Sequence, residues 1–178
     1  EISAMPGLRE FVILHTRNRV EIYGVSNGGQ QARQISAAFC ARQGFSPAEF
    51  DAIKLNLEGH AVVQHLLEVA SGLDSQMIGE NEIFGQVKKA FQVAQTRQSA
   101  GPVLNRVFQK TFQAAKQVRT NTGITAGLVS VANVAVEVAA RIFGRLDSTR
   151  VLLLGAGDIG MKSGRAFRSR GVGALSLA

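Results

Sequence analysis

The feature that most constrains the fold is a strand, a glycine-rich turn and a helix near the C-terminal end of the sequence. Residues 151–154 form a continuous apolar run, as in a strand buried on both faces. A G-x-G-x-x-G pattern follows directly, then a helix-compatible stretch to Arg170 and a second short strand at 174–177. Glycines in this setting permit a tight turn and let the backbone approach a pyrophosphate at the helix N-terminus. The residues predicted to bind a dinucleotide are Gly155, Ala156, Gly157, Asp158, Ile159 and Gly160.

This strand–helix–strand unit is too small to be a complete nucleotide-binding domain, because two strands and one helix are not self-sufficient. We therefore expect the natural chain to continue beyond Ala178, and the residue that selects NAD or NADP to lie there. The 178 residues have room for one ordinary domain, or for one small domain and part of another.

A dense polar insert lies between His65 and Lys89. It comprises residues 71–75 and 79–82, which include two glycines, two serines and three acidic residues. Apolar residues recur at helical spacing before and after it, so the insert separates two amphipathic helices. By itself the insert is as well explained by a plain connecting loop as by a binding site. His65, among leucines, is likewise consistent with a buried core histidine.

A second polar stretch, residues 15–19, separates an apolar run at 11–14 from an alternating stretch at 20–23 that is typical of a half-buried strand. Arg17 and Arg19 lie in it, and a guanidinium group offers a planar fork for a carboxylate or phosphate. A solvated turn between two strands is the alternative interpretation.

The rest of the chain reads as helices with clear boundaries. A helix over residues 30–43 ends near Gly44, and Ser46-Pro47-Ala48-Glu49 is typical of a capping box at the start of the next one. Gly59 leads into the helix that carries His65. Further helices are predicted over 101–122 and 127–143. The second of these is expected to bury Val131, Val134, Val138 and Ile142.

Composition indicates a globular protein without a metal site. Cys40 is the only cysteine and is predicted to be a small core residue, and the three histidines lack zinc-site spacing. No apolar run approaches the ~20 residues of a membrane span, and residues 1–14 do not resemble a signal peptide. We therefore expect a cytoplasmic location. The net charge of +7 favours a polyanionic partner, a nucleic acid ahead of a membrane.

Taken together, five stretches resemble the glutamyl-tRNA reductase family. They are TRNRVEIY (16–23), HLLEVASGLDSQMIGENEIFGQVKKA (65–90), LNRVFQKTFQAAKQVRTNTGI (104–124), SVANVAVEVAARIFG (130–144) and VLLLGAGDIG (151–160). The resemblance implies a mixed α/β fold: an α+β catalytic domain at residues 1–125, lacking the family's first strand, and then a linker helix and the opening of a Rossmann-type NADPH-binding domain at 126–178. A homodimer through a further C-terminal domain is also implied.

The activity implied is the NADPH-dependent reduction of glutamyl-tRNA to glutamate-1-semialdehyde in tetrapyrrole (porphyrin) biosynthesis. In the family a cysteine attacks the activated carbonyl, and the resulting thioester is reduced with hydride from NADPH. The family pattern Ser-Thr-Cys-Asn-Arg corresponds to His15-Thr16-Arg17-Asn18-Arg19 in this chain. Arg17 therefore stands at the position of the nucleophile, although a guanidinium group stays protonated and forms no thioester.

The other site positions match the family. His65 corresponds to a histidine that orients or protonates the substrate carbonyl. The residues implied in substrate binding are Thr16, Asn18, Arg19, Ser75, Glu80, Asn81, Glu82 and Gln86. Asn81 and Glu82 replace the commoner proline and glutamine. The basic face of residues 106–119 then becomes a candidate contact for the tRNA backbone, with a solvated helix face as the alternative.

Three alternatives stand beside this activity, and the first two arise from Arg17. In the first alternative, the chain is a catalytically inactive relative that binds tRNA or NADP as a regulatory protein. In the second, Arg17 polarises the ester carbonyl for direct hydride transfer. A dehydrogenase of the shikimate-dehydrogenase type is the third, and stretches 16–23 and 65–90 argue against it.

Overall fold

The computed structural model describes residues 2–75, 77–125 and 131–178. These residues form two compact units. The first comprises the chain up to Asp74 together with Glu82–Val118, and the second comprises Ser75–Asn81 together with Arg119–Ala178. The domain boundary expected near residue 125 stays a prediction.

Among the described residues, the main elements come in the order that the sequence predicts: two strands, a run of six helices and a strand–helix–strand unit. In chain order they are β1 (Leu8–His15), β2 (Val20–Ser26), α1 (Gln30–Gln43), α2 (Pro47–Ile53), α3 (His60–Ser71), α4 (Glu82–Thr96), α5 (Pro102–Asn121), α6 (Val131–Phe143), β3 (Arg150–Leu153), α7 (Asp158–Ser169) and β4 (Ala174–Leu177). The mixed α/β class is confirmed. The predicted start of the α6 helix, with residues 126–130, lies outside the described part of the chain.

The first unit is built on an antiparallel hairpin of β1 and β2, in which His15 pairs with Val20 and Val12 pairs with Tyr23. Alternation along the strands turns Val12 and Tyr23 to one face, where both are buried. Helix α4 packs on β1. Phe91 of α4 stacks on Phe108 of α5 with ring centroids 4.9 Å apart, and Phe108 meets Tyr23 edge to face. These rings join the hairpin and the two helices in one core.

The ends of the helices follow local chemistry. Ser46 and Glu49 form the predicted capping box at the start of α2, and Gly44 ends α1 in the left-handed conformation. Cys40 is buried, as predicted for a core residue. Gly59 precedes α3. The helix boundaries were predictable because capping depends on residues that are close together in the sequence.

Helix α5 begins at a buried carboxylate that the sequence analysis did not identify. Glu10 of β1 is 7% exposed, and its two oxygens accept hydrogen bonds from the backbone N–H groups of Val103 (3.2 Å) and Leu104 (2.7 Å). These N–H groups lie in the first turn of α5 and have no partner within the helix. Gly101 makes room for this contact, since a Cβ there would lie 2.6 Å from the Glu10 carboxylate.

The second unit contains a parallel pair, β3 and β4, connected by α7. Val151 and Leu175 pack with Phe167 of α7 and Val136 of α6. The prediction that β3 is buried on both faces is wrong within the described residues, because Leu152 is 61% exposed. Only one face of this two-stranded sheet carries helices there.

The predicted inward face of α6 is also wrong. Val131, Val138 and Ile142 are exposed, whereas Ala132 and Val136 are buried. The helix is apolar around most of its circumference, so helical spacing fits more than one stripe. Contact with Leu146 and Phe167 selects the stripe that contains Val136.

Candidate active site

The β1–β2 turn is held together by Thr16. Its backbone N–H donates to the Arg19 carbonyl at 2.9 Å, and its hydroxyl oxygen accepts hydrogen bonds from the N–H groups of Asn18 and Arg19, both at 3.2 Å. Threonine suits this position because its short side chain folds back on the next backbone amides. Arg17 and Asn18 are exposed at the tip of this turn.

Arg19 connects the turn to two carboxylates. Its Nη1 donates to Glu21 Oε1 and to Asp74 Oδ2, both at 2.9 Å, and its Nη2 donates to the backbone carbonyl of Asp74. Partial burial lowers the pKa of Arg19, but the hydrogen bonds and charges of Asp74 and Glu21 outweigh burial and leave the pKa raised. The guanidinium is therefore a fixed cation at the base of the turn.

His65 on α3 contacts the same two carboxylates. Its Nε2 lies 3.1 Å from Glu21 Oε1, and its Nδ1 lies 3.9 Å from Asp74 Oδ2. The side chains of His65 and Glu21 are each 17% exposed, so the ring keeps an open edge. A histidine oriented by a carboxylate is a suitable proton donor or acceptor for a bound carbonyl.

Asp74 reaches this position through a tight helix end. Gly72 follows α3 in the left-handed conformation at φ 81°, and the N–H of Leu73 donates to the Glu68 carbonyl at 2.9 Å. This reversal carries the next residues back along α3, toward His65. Gly72 is thus a positioning residue for Asp74.

Glu21 and Asp74 are the site residues that the sequence analysis missed, together with Tyr23. Glu21 and Tyr23 are two residues apart on β2 and share one face of the strand, and Arg19 comes directly before this strand, two residues from Glu21. The Tyr23 hydroxyl donates to Glu21 Oε2. Burial and then the Glu21 charge raise the pKa of Tyr23 far above its ordinary value. The alternation of these three polar groups was the signal available in the sequence.

Two further predicted residues lie in the first unit on α4. Glu82 and Gln86 are four residues apart, which places them on one face of the helix, and both are exposed. The buried face of α4, with Ile83 and Val87, is separate from them. Both side chains are accessible to a ligand.

The remaining predicted substrate residues belong to the second unit. Arg119 Nη2 donates to the carbonyls of Gly79 (3.2 Å) and Glu80 (2.9 Å) and to Asn81 Oδ1. Gly79 is required, because its φ is +83° and a Cβ would lie 1.8 Å from the Ile124 carbonyl oxygen. The Ser75 hydroxyl is buried and has no hydrogen-bond partner among the described residues. Arg119 was not predicted from sequence to fix this segment.

The glycine-rich turn after β3 leaves the backbone open at the start of α7. Gly155 has φ +104°, and a Cβ on Gly160 would lie 2.1 Å from the Gly155 carbonyl oxygen. Gly157 precedes α7 without a side-chain cap, so no side chain covers the first N–H groups of the helix. Ala156, Asp158 and Ile159 are exposed around them. The residues present fit a dinucleotide.

Two negative observations concern the described residues only. Within residues 2–75, 77–125 and 131–178, no group of three or more His, Cys, Asp or Glu side chains is arranged to hold a metal ion. In the same part of the chain no helix combines the length and the apolar character that crossing a membrane requires.

Comparison with known proteins identifies the family. Residues 1–122 match the family model described as glutamyl-tRNAGlu reductase, N-terminal domain. The chain is 41% identical over 177 residues to glutamyl-tRNA reductase of Akkermansia muciniphila, covering 99% of this chain and 52% of that protein. It is 41% identical over 180 residues to the Nitrosococcus oceani enzyme, covering 100% of this chain and 42% of that protein.

A solved structure agrees with the sequence matches. The structure of glutamyl-tRNA reductase from Methanopyrus kandleri superimposes with a TM-score of 0.61 at 35% identity, over 96% of this chain and 40% of that one. The chain thus spans about half the length, or less, of the relatives it matches. The match over more than two thirds of its residues shows that the chain belongs to the glutamyl-tRNA reductase family.

Proposed function

We propose that the chain is the substrate-binding part, with the opening of the cofactor-binding part, of an enzyme that reduces glutamyl-tRNA to glutamate-1-semialdehyde in tetrapyrrole biosynthesis. The observation that carries this proposal is the network of Arg19, Glu21, His65 and Asp74 directly beside the Thr16 turn. The network presents a fixed cation and an oriented imidazole at the foot of an exposed tip. Reduction of an amino acid ester needs groups that stabilise the negative charge developing on the carbonyl oxygen, and it needs a proton donor near that oxygen.

Within this proposal Thr16, Asn18 and Arg19 hold the substrate at the turn. His65 orients the ester carbonyl or protonates its oxygen as charge develops there. Glu21 does not meet substrate but keeps the imidazole and the guanidinium in place, since one of its oxygens contacts both. Arg19 supplies the positive charge that offsets the negative charge on the bound substrate.

As the resemblance to the family implies, contacts to the glutamyl and ribose groups are assigned to Glu82 and Gln86 in the first unit and to Ser75, Glu80 and Asn81 in the second. The buried Ser75 hydroxyl supports this assignment, because a buried polar group without a partner is costly unless a ligand satisfies it. Glu82 and Gln86 are exposed on one face of α4, as groups that meet a ligand are.

The cofactor assigned to the turn at 155–160 is NADPH. When bound it supplies the hydride for the reduction. The chain's own contribution is the open N-terminus of α7, which faces anionic groups, and the close approach of Gly160 to Gly155, which leaves the backbone accessible. A homodimer, a cytoplasmic location and the domain division at residues 125 and 126 complete the proposal.

Arg17 decides how the reaction proceeds. The resemblance to the family assigns this position to a cysteine nucleophile, and a guanidinium group is not a nucleophile at neutral pH. This observation favours a second candidate function: a catalytically inactive relative that binds tRNA, NADP or both as a regulatory protein. Arg17 is exposed at the tip of the turn, where its side chain is accessible to a ligand.

A single-turnover assay with glutamyl-tRNA and NADPH separates these functions. It compares the full-length protein with Arg17→Cys, and with Arg17→Ser as a control that lacks a thiol. In Arg17→Cys the thiolate would form a thioester with the glutamyl carbonyl as the 3′ oxygen of the tRNA leaves and takes up a proton. Reduction of the thioester with hydride from the NADPH in the assay would then release the aldehyde and the thiolate. Semialdehyde from Arg17→Cys alone would show an intact site that lacks its nucleophile, and semialdehyde from the unaltered protein would show a cysteine-independent route. Binding of tRNA without product from any of the three proteins would replace the enzyme with the regulatory function.

A further inference from the structure

The net positive charge of the chain is concentrated in one stretch. Residues 83–136 contain seven lysines and arginines and no aspartate or glutamate. The other 13 basic residues of the chain are matched by 13 acidic residues. The net charge of +7 therefore originates in a region dominated by helices α4 and α5.

Five of these seven residues lie on the solvent side of α4 and α5 in the first unit. At 100° per residue, Arg106, Lys110 and Lys116 lie in the half of α5 that is opposite to the buried Leu104 and Phe108. They span about 15 Å along the helix axis at 1.5 Å per residue. The basic surface comprises Lys88, Lys89, Arg106, Lys110 and Lys116, all of which are exposed.

The cations of the basic surface are not neutralised by the protein. None of the five forms an ion pair among the described residues. Lys88 instead lies over the ring of Phe84, 4.6 Å from its centroid, and 6.0 Å from that of Phe112 on α5. Lys110 donates a hydrogen bond to Gln113 at 3.3 Å. Like charges on neighbouring turns repel one another, so the surface is stabilised by a polyanion.

The polar groups between these cations indicate which polyanion fits. The exposed side chains beside them are mostly amides: Gln92, Gln95, Gln109, Gln113 and Gln117. A helix that binds a lipid surface presents large apolar residues next to its basic ones, whereas the apolar side of α5 is buried in the core. Amides and cations together suit phosphate oxygens and ribose hydroxyls, which are the groups that an RNA helix displays.

We propose that the basic surface docks the sugar–phosphate backbone of an RNA double helix. Over about 15 Å a nucleic-acid duplex presents several phosphates, since duplex DNA carries one charge per about 1.7 Å of its axis. This inference rests on the proposed function, because a tRNA contains such helices, and it adds the surface at which the RNA docks. The docking is independent of base sequence, because the surface contacts backbone rather than base edges.

The test measures binding of a fluorescent RNA hairpin, with a stem of about 16 base pairs, to the full-length protein by anisotropy at about 50–200 mM salt. The surface variant is Arg106→Gln with Lys110→Gln. The control variant, Arg9→Gln with Arg33→Gln, removes the same charge from exposed residues of the same unit outside the basic surface. The probe carries no glutamyl ester and no NADPH is present, so the result does not depend on whether the chain reduces anything.

The surface variant is expected to bind the hairpin at least ~10-fold more weakly at low salt, with the slope of log K against log salt reduced by about 2. The control variant should keep both values, and both variants should melt as the unaltered protein does. Equal weakening in the two variants would overturn the proposal, because net charge alone would explain it. The proposal would also be overturned if the surface variant bound RNA as before but no longer bound phosphatidylglycerol vesicles, because the surface would then bind a membrane.

Discussion

His65 Nε2 lies 3.1 Å from Glu21 Oε1, although 44 positions separate the two residues in the chain. The same oxygen accepts a hydrogen bond from Arg19, and the other oxygen of this carboxylate accepts one from Tyr23. A single partly buried carboxylate therefore organises the imidazole, the guanidinium and the phenol of the candidate site. Removal of this carboxylate should therefore affect all three groups.

Tyr23 should remain protonated well above pH 10. Burial raises its pKa, and the charge of Glu21 raises it further. Because the folded pKa lies above the unfolded value, this contribution to stability is complete below about pH 10 and is lost as the pH rises above it. Tyr23 is the only tyrosine and the chain has no tryptophan, so ultraviolet difference absorbance reports its ionisation directly. In Glu21→Gln the phenolate should appear at lower pH than in the unaltered protein, and identical titrations would contradict the assigned contact.

Arg19→Lys should loosen the segment that carries Asp74. One ammonium group cannot reproduce the guanidinium contacts to Glu21 and to both the carboxylate and the carbonyl of Asp74. We expect a loss of about 1 kcal/mol in the free energy of unfolding, because solvent screens the half-exposed Asp74 carboxylate. Urea denaturation measures this loss. Arg145→Lys, which alters an exposed pair with Asp147, is the control and should change stability by less than about 0.5 kcal/mol.

Gly79→Ala should destabilise the second unit. The new Cβ would meet the Ile124 carbonyl oxygen at 1.8 Å, and the residue would keep a φ of +83°. Overpacking against the backbone together with a left-handed alanine should cost about 2–4 kcal/mol. Gly123→Ala is the matched control, since a Cβ there has nothing within 4 Å. Equal melting temperatures of the two variants would show that the segment near Gly79 is not packed in this way.

Glu10→Gln should weaken the start of α5. The amide retains one acceptor oxygen, but its NH2 group faces a backbone N–H donor at Val103 or Leu104. A lost hydrogen bond at a buried site should cost about 1–3 kcal/mol. Hydrogen exchange of the amides of Val103 and Leu104 should accelerate with it. Glu58→Gln, at an exposed carboxylate, provides the comparison, and unchanged exchange in Glu10→Gln would refute the capping role.

Several parts of the site were visible in the sequence. The spacing in the glycine-rich turn at 155–160 predicts a phosphate site by itself, whereas the turn at residues 16–19 and the polar insert after His65 were singled out by the resemblance to the family. The structure places Thr16, Arg19 and His65 together in the first unit. Glu21, Tyr23 and Asp74 were missed, because each reads as an ordinary strand or loop residue until its partners are known. The part played by Arg119 at the Gly79 segment was missed for the same reason, since 38 to 40 positions separate it from the groups it contacts.

The order and type of the elements, and helix ends such as the capping box at Ser46 and the left-handed glycine at Gly44, could be predicted from local sequence. These features depend on hydrogen bonds between residues only a few positions apart, so the local pattern contains all the groups involved. The buried stripe of α6, and the carboxylates that hold Arg19, His65 and the start of α5, could be identified only in the folded chain. Those choices depend on contacts across 55 positions for Arg19 and Asp74 and 94 for Glu10 and Leu104. The spacing of residues predicts whether a face is apolar or polar, but the element that this face contacts depends on tertiary packing.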